Sequence, residues 1–120
     1  MENNCDPNEV TLFMFSSSTC PPCKVIKPRV EKTCEELGLI MEYIDVREDP
    51  DLYRDNVMRG VWPKVRATPT FFIRTLDTWV MLQDFTIVTN TSNLCEAILN
   101  IRQELKFPGL SNPNTSINLN

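Results

Sequence analysis

Hydrophobic residues along the chain occur either in short continuous runs or at helical spacing, and this pattern predicts four strands and three helices. Residues 10–15 (VTLFMF) form a continuous apolar run with β-branched and aromatic members, which is typical of a strand buried on both faces. A similar run predicts a second strand over residues 39–46. Residues 70–75 and 78–82 predict two further strands, joined by a tight turn near Leu76-Asp77.

Three segments between these strands have the spacing or the caps of helices. Apolar residues recur at helical spacing over residues 20–37, and Gly38 follows as a C-terminal cap. A Pro in the first turn predicts a short helix over residues 49–59. Either Ser92 or Asn93 is suited to cap a last helix whose apolar face continues to Leu105.

The element order β-α-β-α-β-β-α predicts an α/β fold with a mixed four-stranded sheet flanked by helices. The first helix is long enough for a parallel crossover between the first two strands, whereas the last two are close enough for an antiparallel hairpin. A chain of 120 residues suits one domain, which we place at residues 1–107. Residues 108–120 are rich in Asn and Pro and are expected to form a flexible tail.

Charge and composition exclude several classes of function. The net charge of −4 does not favour a nucleic acid or an anionic membrane as partner, and no apolar run is long enough to cross a bilayer. The polar, acidic first residues do not resemble a signal peptide, so we expect a cytoplasmic protein. The absence of histidine rules out Ser-His and Cys-His catalytic pairs.

The strongest chemical signal is the sequence Cys20-Pro21-Pro22-Cys23, which lies between the first strand and the first helix. Unpaired N–H groups and the positive end of the dipole at a helix N-terminus favour a thiolate, which is the reactive form of cysteine. Proline here removes only N–H groups that lack helical partners, and Lys24 adds positive charge. We therefore expect Cys20 and Cys23 to be a redox pair.

The other cysteines do not extend this site. A tetrahedral zinc site would need two ligands beyond Cys20 and Cys23, and there is no second CxxC sequence, so we expect no metal. Cys34 and Cys95 fall on apolar helix faces and are expected to be buried. Cys5 lies in a polar segment and is expected to be exposed.

Over residues 9–106 the chain resembles the thioredoxin family. The features that carry the resemblance are CPPCK at residues 20–24, Pro28 in the following helix, Ile44-Asp45-Val46 before Asp49-Pro50, and residues 65–70, which contain Thr68-Pro69. The resemblance implies a thioredoxin fold and a cis peptide bond between Thr68 and Pro69, which only proline makes accessible.

The resemblance also implies a mechanism for reducing protein disulfides. Cys20 would attack the substrate disulfide and Cys23 would resolve the mixed disulfide, so that the Cys20-Cys23 pair carries the redox chemistry and no cofactor is needed. Thr68 and Pro69 would contact the substrate. Trp62 either faces the partner or anchors its own loop.

Several residues depart from the family pattern. Met14 stands where thioredoxins bury an aspartate, and Tyr43 stands where they have a lysine. Thr19 and Ser16 replace two tryptophans near the first cysteine, so a more polar docking surface is expected. These changes leave the cysteine chemistry intact but alter the surroundings of the cysteines.

Three functions remain open at this stage. The first is a monomeric protein-disulfide reductase that is recharged by a thioredoxin reductase or a similar donor. The second is a glutaredoxin-like enzyme using glutathione, although residues 83–93 lack the glycines that such enzymes use to hold it. The third is a non-catalytic subunit of a larger complex, for which the thiols would be dispensable.

Overall fold

A computed structural model describes Cys5 and residues 7–76 and 78–106. The expected tail at residues 108–120 and the turn residue Asp77 lie outside the described residues. Within these ranges, none of the helices combines the length and the apolar character needed to cross a membrane.

The described strands form one mixed sheet in the order β2-β1-β3-β4. The strands are β1 (Val10–Ser16), β2 (Ile40–Asp45), β3 (Thr70–Thr75) and β4 (Thr78–Leu82). β1 pairs with β2 in parallel and with β3 antiparallel, and β3 and β4 form the predicted hairpin. The predicted α/β fold with a four-stranded mixed sheet is confirmed.

In the part of the chain that the structure describes, four helices follow or separate these strands, namely α1 (Pro21–Leu37), α2 (Pro50–Met58), α3 (Phe85–Val88) and α4 (Thr91–Lys106). α1 ends as predicted at Gly38, whose φ of 69° is left-handed and therefore suits glycine. α3 was not predicted, because four residues are too few to show helical spacing. The predicted cap of α4 was wrong: the side chain of Asn90, not of Ser92 or Asn93, accepts the Asn93 N–H at 2.9 Å.

β1 is apolar throughout because each of its faces packs against a separate core cluster. Leu12 and Met14 point to the cluster under α1, α3 and α4. Phe13 and Phe15 point to the opposite face, where Tyr53 of α2 packs. Since β1 is central and fully covered, the loop that follows it starts from a firmly held point, and this loop leads to Cys20.

The expectation that Cys5 is exposed was wrong, since only 1% of it is accessible. Its thiol shares a hydrogen bond with Cys95 of α4 and belongs to the same core cluster. Arg102 of α4 also donates a hydrogen bond to the carbonyl oxygen of Asn8 at 2.6 Å. These contacts bring α4 against the segment before β1, a pairing across some 90 residues that local polarity does not reveal.

Candidate active site at the N-terminus of α1

The site begins in the loop between β1 and α1. The Cys20 N–H donates to the Ser17 carbonyl oxygen at 3.1 Å, closing a turn that places Cys20 as the N-cap of α1. Pro21 and Pro22 occupy the first two helical positions, where a missing N–H costs no helical hydrogen bond. The first turn contains no acidic residue, so the positive end of the helix dipole is not offset there.

Cys20 and Cys23 are joined by a disulfide bond, with their Cα atoms 5.3 Å apart. The Cys23 N–H donates both to the Cys20 carbonyl oxygen at 3.1 Å and to the Cys20 Sγ at 3.2 Å. The two cysteines differ in access, because Cys20 is 8% exposed and Cys23 is fully buried. Cys20 is therefore the member of the pair that another molecule can approach. The same N–H is placed to stabilise negative charge on Cys20 when the bridge opens.

A distant segment completes the site. The Thr68–Pro69 peptide bond is cis, which confirms the expectation from the resemblance. It brings the Thr68 carbonyl oxygen to 3.5 Å from the Cys20 Sγ. Thr68 and Pro69 are half-buried, so part of this segment remains accessible beside the disulfide.

Aromatic packing fixes the loop that carries this segment. Trp62 is half-buried and meets the ring of Phe15 edge-on, with the ring centroids 5.9 Å apart. The Tyr53 hydroxyl accepts the Val65 N–H at 2.8 Å. Trp62 was expected either to anchor its own loop or to face a partner. Its contacts in the structure are those of a loop anchor, and a role in substrate binding stays a prediction. The anchoring by Phe15 and Tyr53 was missed, although Phe15 lies only five residues before Cys20.

Lys24, the residue after Cys23, is exposed and adds a positive charge beside the start of the helix. No ion pair of Lys24 is described. Pro28 lies inside α1, as expected, and is exposed. Its missing N–H removes one helical hydrogen bond in the second turn after the cysteines.

The acid–base groups of the site differ from those that the resemblance would supply. Met14 is fully buried in the main core. The Tyr43 hydroxyl donates to the Oγ of buried Ser16 at 2.9 Å, so this position forms a neutral hydrogen bond. In the described ranges the buried polar residues all carry hydroxyls and none is a carboxylate. No buried carboxylate among the described residues is therefore placed to exchange a proton with Cys23.

Cys34 and Cys95 are buried, as predicted. Burial, helped by the negative charge of Glu31, raises the pKa of the Cys34 thiol to about 12. Such a thiol is protonated at neutral pH and does not compete with Cys20 as a nucleophile. Among the residues that the structure describes, no group of three or more metal-ligating side chains is placed to hold an ion.

Comparison with known proteins agrees with this geometry. The family model for thioredoxin matches residues 2–98. No curated protein matches the sequence. A mutant thioredoxin from Halobacterium salinarum is 26% identical, with a TM-score of 0.54, over 78% of this chain and 74% of that one.

Two structures of lower identity share the fold. Oxidised mitochondrial thioredoxin 3 from Saccharomyces cerevisiae is 22% identical, with a TM-score of 0.54, over 82% of this chain and 84% of that one. A structure of a complex of ferredoxin:thioredoxin reductase and thioredoxin f2 contains a chain 20% identical, with a TM-score of 0.56, over 78% of both chains. Because the family model covers most of the chain, and the fold and the CxxC disulfide agree with it, the chain belongs to the thioredoxin family.

Proposed function

We propose that the protein reduces disulfide bonds in other proteins by exchange with the Cys20-Cys23 dithiol. The observation that carries the proposal is the disulfide at the N-terminus of α1, with its more accessible sulfur beside the Thr68 carbonyl oxygen. Membership of the family supports thiol–disulfide oxidoreductase chemistry in general. The step from that chemistry to protein disulfides is the proposal.

The reaction starts from the reduced pair. The Cys20 thiolate attacks one sulfur atom of the substrate disulfide, and the other substrate sulfur leaves and takes up a proton. The resulting mixed disulfide joins Cys20 to the substrate. The Cys23 sulfur, after losing its proton, then attacks the Cys20 Sγ and releases the second substrate thiol. The chain is left with the bridge seen in the structure.

The cis-proline segment provides the substrate contact in this proposal. An extended substrate chain beside Cys20 would pair with the Thr68 backbone, as strands pair at a sheet edge. Pro69 has no N–H, so its own backbone offers only an acceptor. Trp62 would add apolar area next to this contact.

A donor must restore the dithiol after each turnover. We propose that this donor is a thioredoxin reductase or a similar protein. The chain itself would act as a monomer in the cytoplasm, and its Cys20-Cys23 pair would carry the electrons without an added cofactor. Since none of the described residues is a buried carboxylate, the Cys23 proton would leave to water or to the departing substrate sulfur, and we expect this second step to be the slower one.

Insulin reduction tests the proposal, run in parallel with thioredoxin reductase plus NADPH and with glutathione plus glutathione reductase. We expect turnover in the first arm. Turnover only in the glutathione arm would identify a glutaredoxin-like enzyme instead. The Cys23→Ser variant should accumulate a mixed disulfide at Cys20, whereas Cys34→Ser, a buried cysteine in the same helix, should behave as the parent chain.

A cellular assay separates catalysis from a scaffold role. If the Cys20→Ser, Cys23→Ser double variant retains full function in cells, the thiols are dispensable and the protein is a non-catalytic subunit. Loss of function in this variant, with its fold intact by circular dichroism, supports the redox proposal.

A further inference from the structure

Two cysteines that the proposed reaction does not use lie in contact within the main core. Cys5 precedes β1 and Cys95 lies in the second turn of α4, and their side chains share a hydrogen bond. They are 1% and 6% exposed and belong to the same core cluster. Neither takes part in a disulfide in this structure.

The contact is part of a larger attachment of the first residues to α4. Cys95 and Arg102 are seven residues apart and therefore lie on one face of this helix. Arg102 Nη2 donates to the Asn8 carbonyl oxygen at 2.6 Å. The Val10 N–H donates to the Pro7 carbonyl oxygen at 3.1 Å, which turns the chain into β1. Two points on one helix face thus hold the segment that contains Cys5, so the two sulfur atoms are kept together by the fold.

We propose that Cys5 and Cys95 form a second redox pair, which small-molecule disulfides such as oxidised glutathione convert to a bridge between the N-terminal segment and α4. One thiolate attacks a sulfur of the small disulfide and displaces one small thiol. The other cysteine attacks the mixed disulfide and displaces the second. The protein loses two hydrogens, and both appear on the two released thiols.

The surroundings of the pair make the reaction slow at neutral pH. Burial first, and then the hydrogen bond and charge of Cys95, raise the pKa of the Cys5 thiol to about 11, although a backbone hydrogen bond and Arg102 act in the opposite direction. Because the thiolate is the attacking species, the rate of bridging should rise about tenfold for each unit by which the pH is raised, as long as the pH stays below that pKa. Cys20 and Cys23 at the start of α1 should therefore be oxidised long before this pair, which responds to sustained oxidation.

The test uses the Cys20→Ser, Cys23→Ser double variant, in which only Cys5, Cys34 and Cys95 remain. The reduced variant is incubated with oxidised glutathione at about pH 8, denatured, alkylated and analysed by mass spectrometry. We expect Cys5 and Cys95 to lose their reactivity together and to appear in one linked peptide, while Cys34 is alkylated. Adding Cys5→Ser should leave both Cys34 and Cys95 alkylated.

The parent chain provides a second readout in case the variant folds poorly. After the same treatment it should carry two bridges and one thiol, at Cys34. The form bridged between Cys5 and Cys95 should unfold at a higher temperature than the form with these two thiols free, since the link restricts the unfolded chain. The Cys5→Ser chain should show no such shift.

Three results would overturn the inference. They are full alkylation of all three thiols after prolonged incubation, a bridge that involves Cys34, and glutathione adducts that never resolve. Because the variant lacks the Cys20-Cys23 pair, these results leave the proposed reductase function untouched. Conversely, a failure of the insulin assay would not count against the Cys5-Cys95 bridge, because that assay tests only the Cys20-Cys23 pair.

Discussion

Substituting Met14 by Asp probes the interior beneath the active-site loop, and its effect should depend strongly on pH. Met14 is fully buried on β1, where it pairs in register with Tyr43 and Phe71. Among the described residues no cation is buried that could neutralise a new carboxylate. The aspartate that thioredoxins bury at this position would therefore enter a core in which Tyr43 stands in place of the lysine.

The magnitude follows from desolvation. A fully buried carboxyl without a partner has its pKa raised by about 3–5 units. Each unit is worth about 1.4 kcal/mol, so ionisation in the unfolded chain alone costs the fold about 4–7 kcal/mol at high pH. Domains of this size have a total free energy of unfolding of about 5–15 kcal/mol. The Met14→Asp chain should therefore be largely unfolded, or close to it, at about pH 8.

The sign of the pH dependence distinguishes the desolvation of the new carboxylate from the loss of the packing that Met14 provides. The folded-state pKa is raised, so between the unfolded value of about 4 and the folded value the native state holds more protons than the unfolded state. Stability therefore falls as pH rises through this window and is level below it. Met14→Asn loses the same packing but carries no titratable group, so it serves as the matched control.

Urea unfolding at about pH 4, 6 and 8 measures the difference between the two variants. We expect the Asp and Asn variants to be similar at the lowest pH and to diverge steadily as pH rises. Met14→Leu should stay within about 1.5 kcal/mol of the parent chain throughout. A constant difference between Asp and Asn at every pH would refute the reasoning, because it would mean that water or a cation reaches this position.

Three further outcomes are expected. Asn90→Ala should lower the free energy of urea unfolding by about 1 kcal/mol through loss of the α4 cap, whereas Ser92→Ala should change it by less than about 0.5 kcal/mol. Hydrogen bonds from the backbone N–H and the side chain of Thr86 hold the pKa of Asp84 below its usual range, so Asp84→Ala should lower the melting temperature near neutral pH. This difference should shrink as pH falls through the Asp84 pKa. The segments that contain the cysteine pair and Thr68-Pro69, residues 10–30 and 56–76, contain lysine and arginine but no acidic residue. The reduction of a disulfide flanked by acidic residues should therefore slow as the salt concentration rises, whereas the reduction of a neutral substrate should not change.

Local sequence was sufficient where a single physical cause determines the element. The hairpin at residues 70–75 and 78–82 follows from two short apolar runs, and its bounds agree with the structure. The start of α1 follows from Pro21, Pro22 and their position after a buried strand. Gly38 ends the same helix because its left-handed backbone is costly for other residues.

Contacts between distant segments could not be read in this way. Cys5 lies in a polar stretch, and its burial depends on α4. The cap of α4 was ambiguous because Asn90, Ser92 and Asn93 are all good capping residues and only the structure selects one. The approach of Thr68 to Cys20 was expected from family resemblance alone, since 48 residues separate them.

The most direct test of the account is a redox titration of the cysteines at the start of α1. The chain is equilibrated in glutathione buffers of increasing oxidising strength, quenched with acid and alkylated, and the labelled peptides are counted. Cys20 and Cys23 should lose reactivity together, regain it on return to reducing buffer, and do so equally in the Cys34→Ser chain. Independent alkylation of Cys20 and Cys23 in every buffer, or bridges only between chains, would contradict the account.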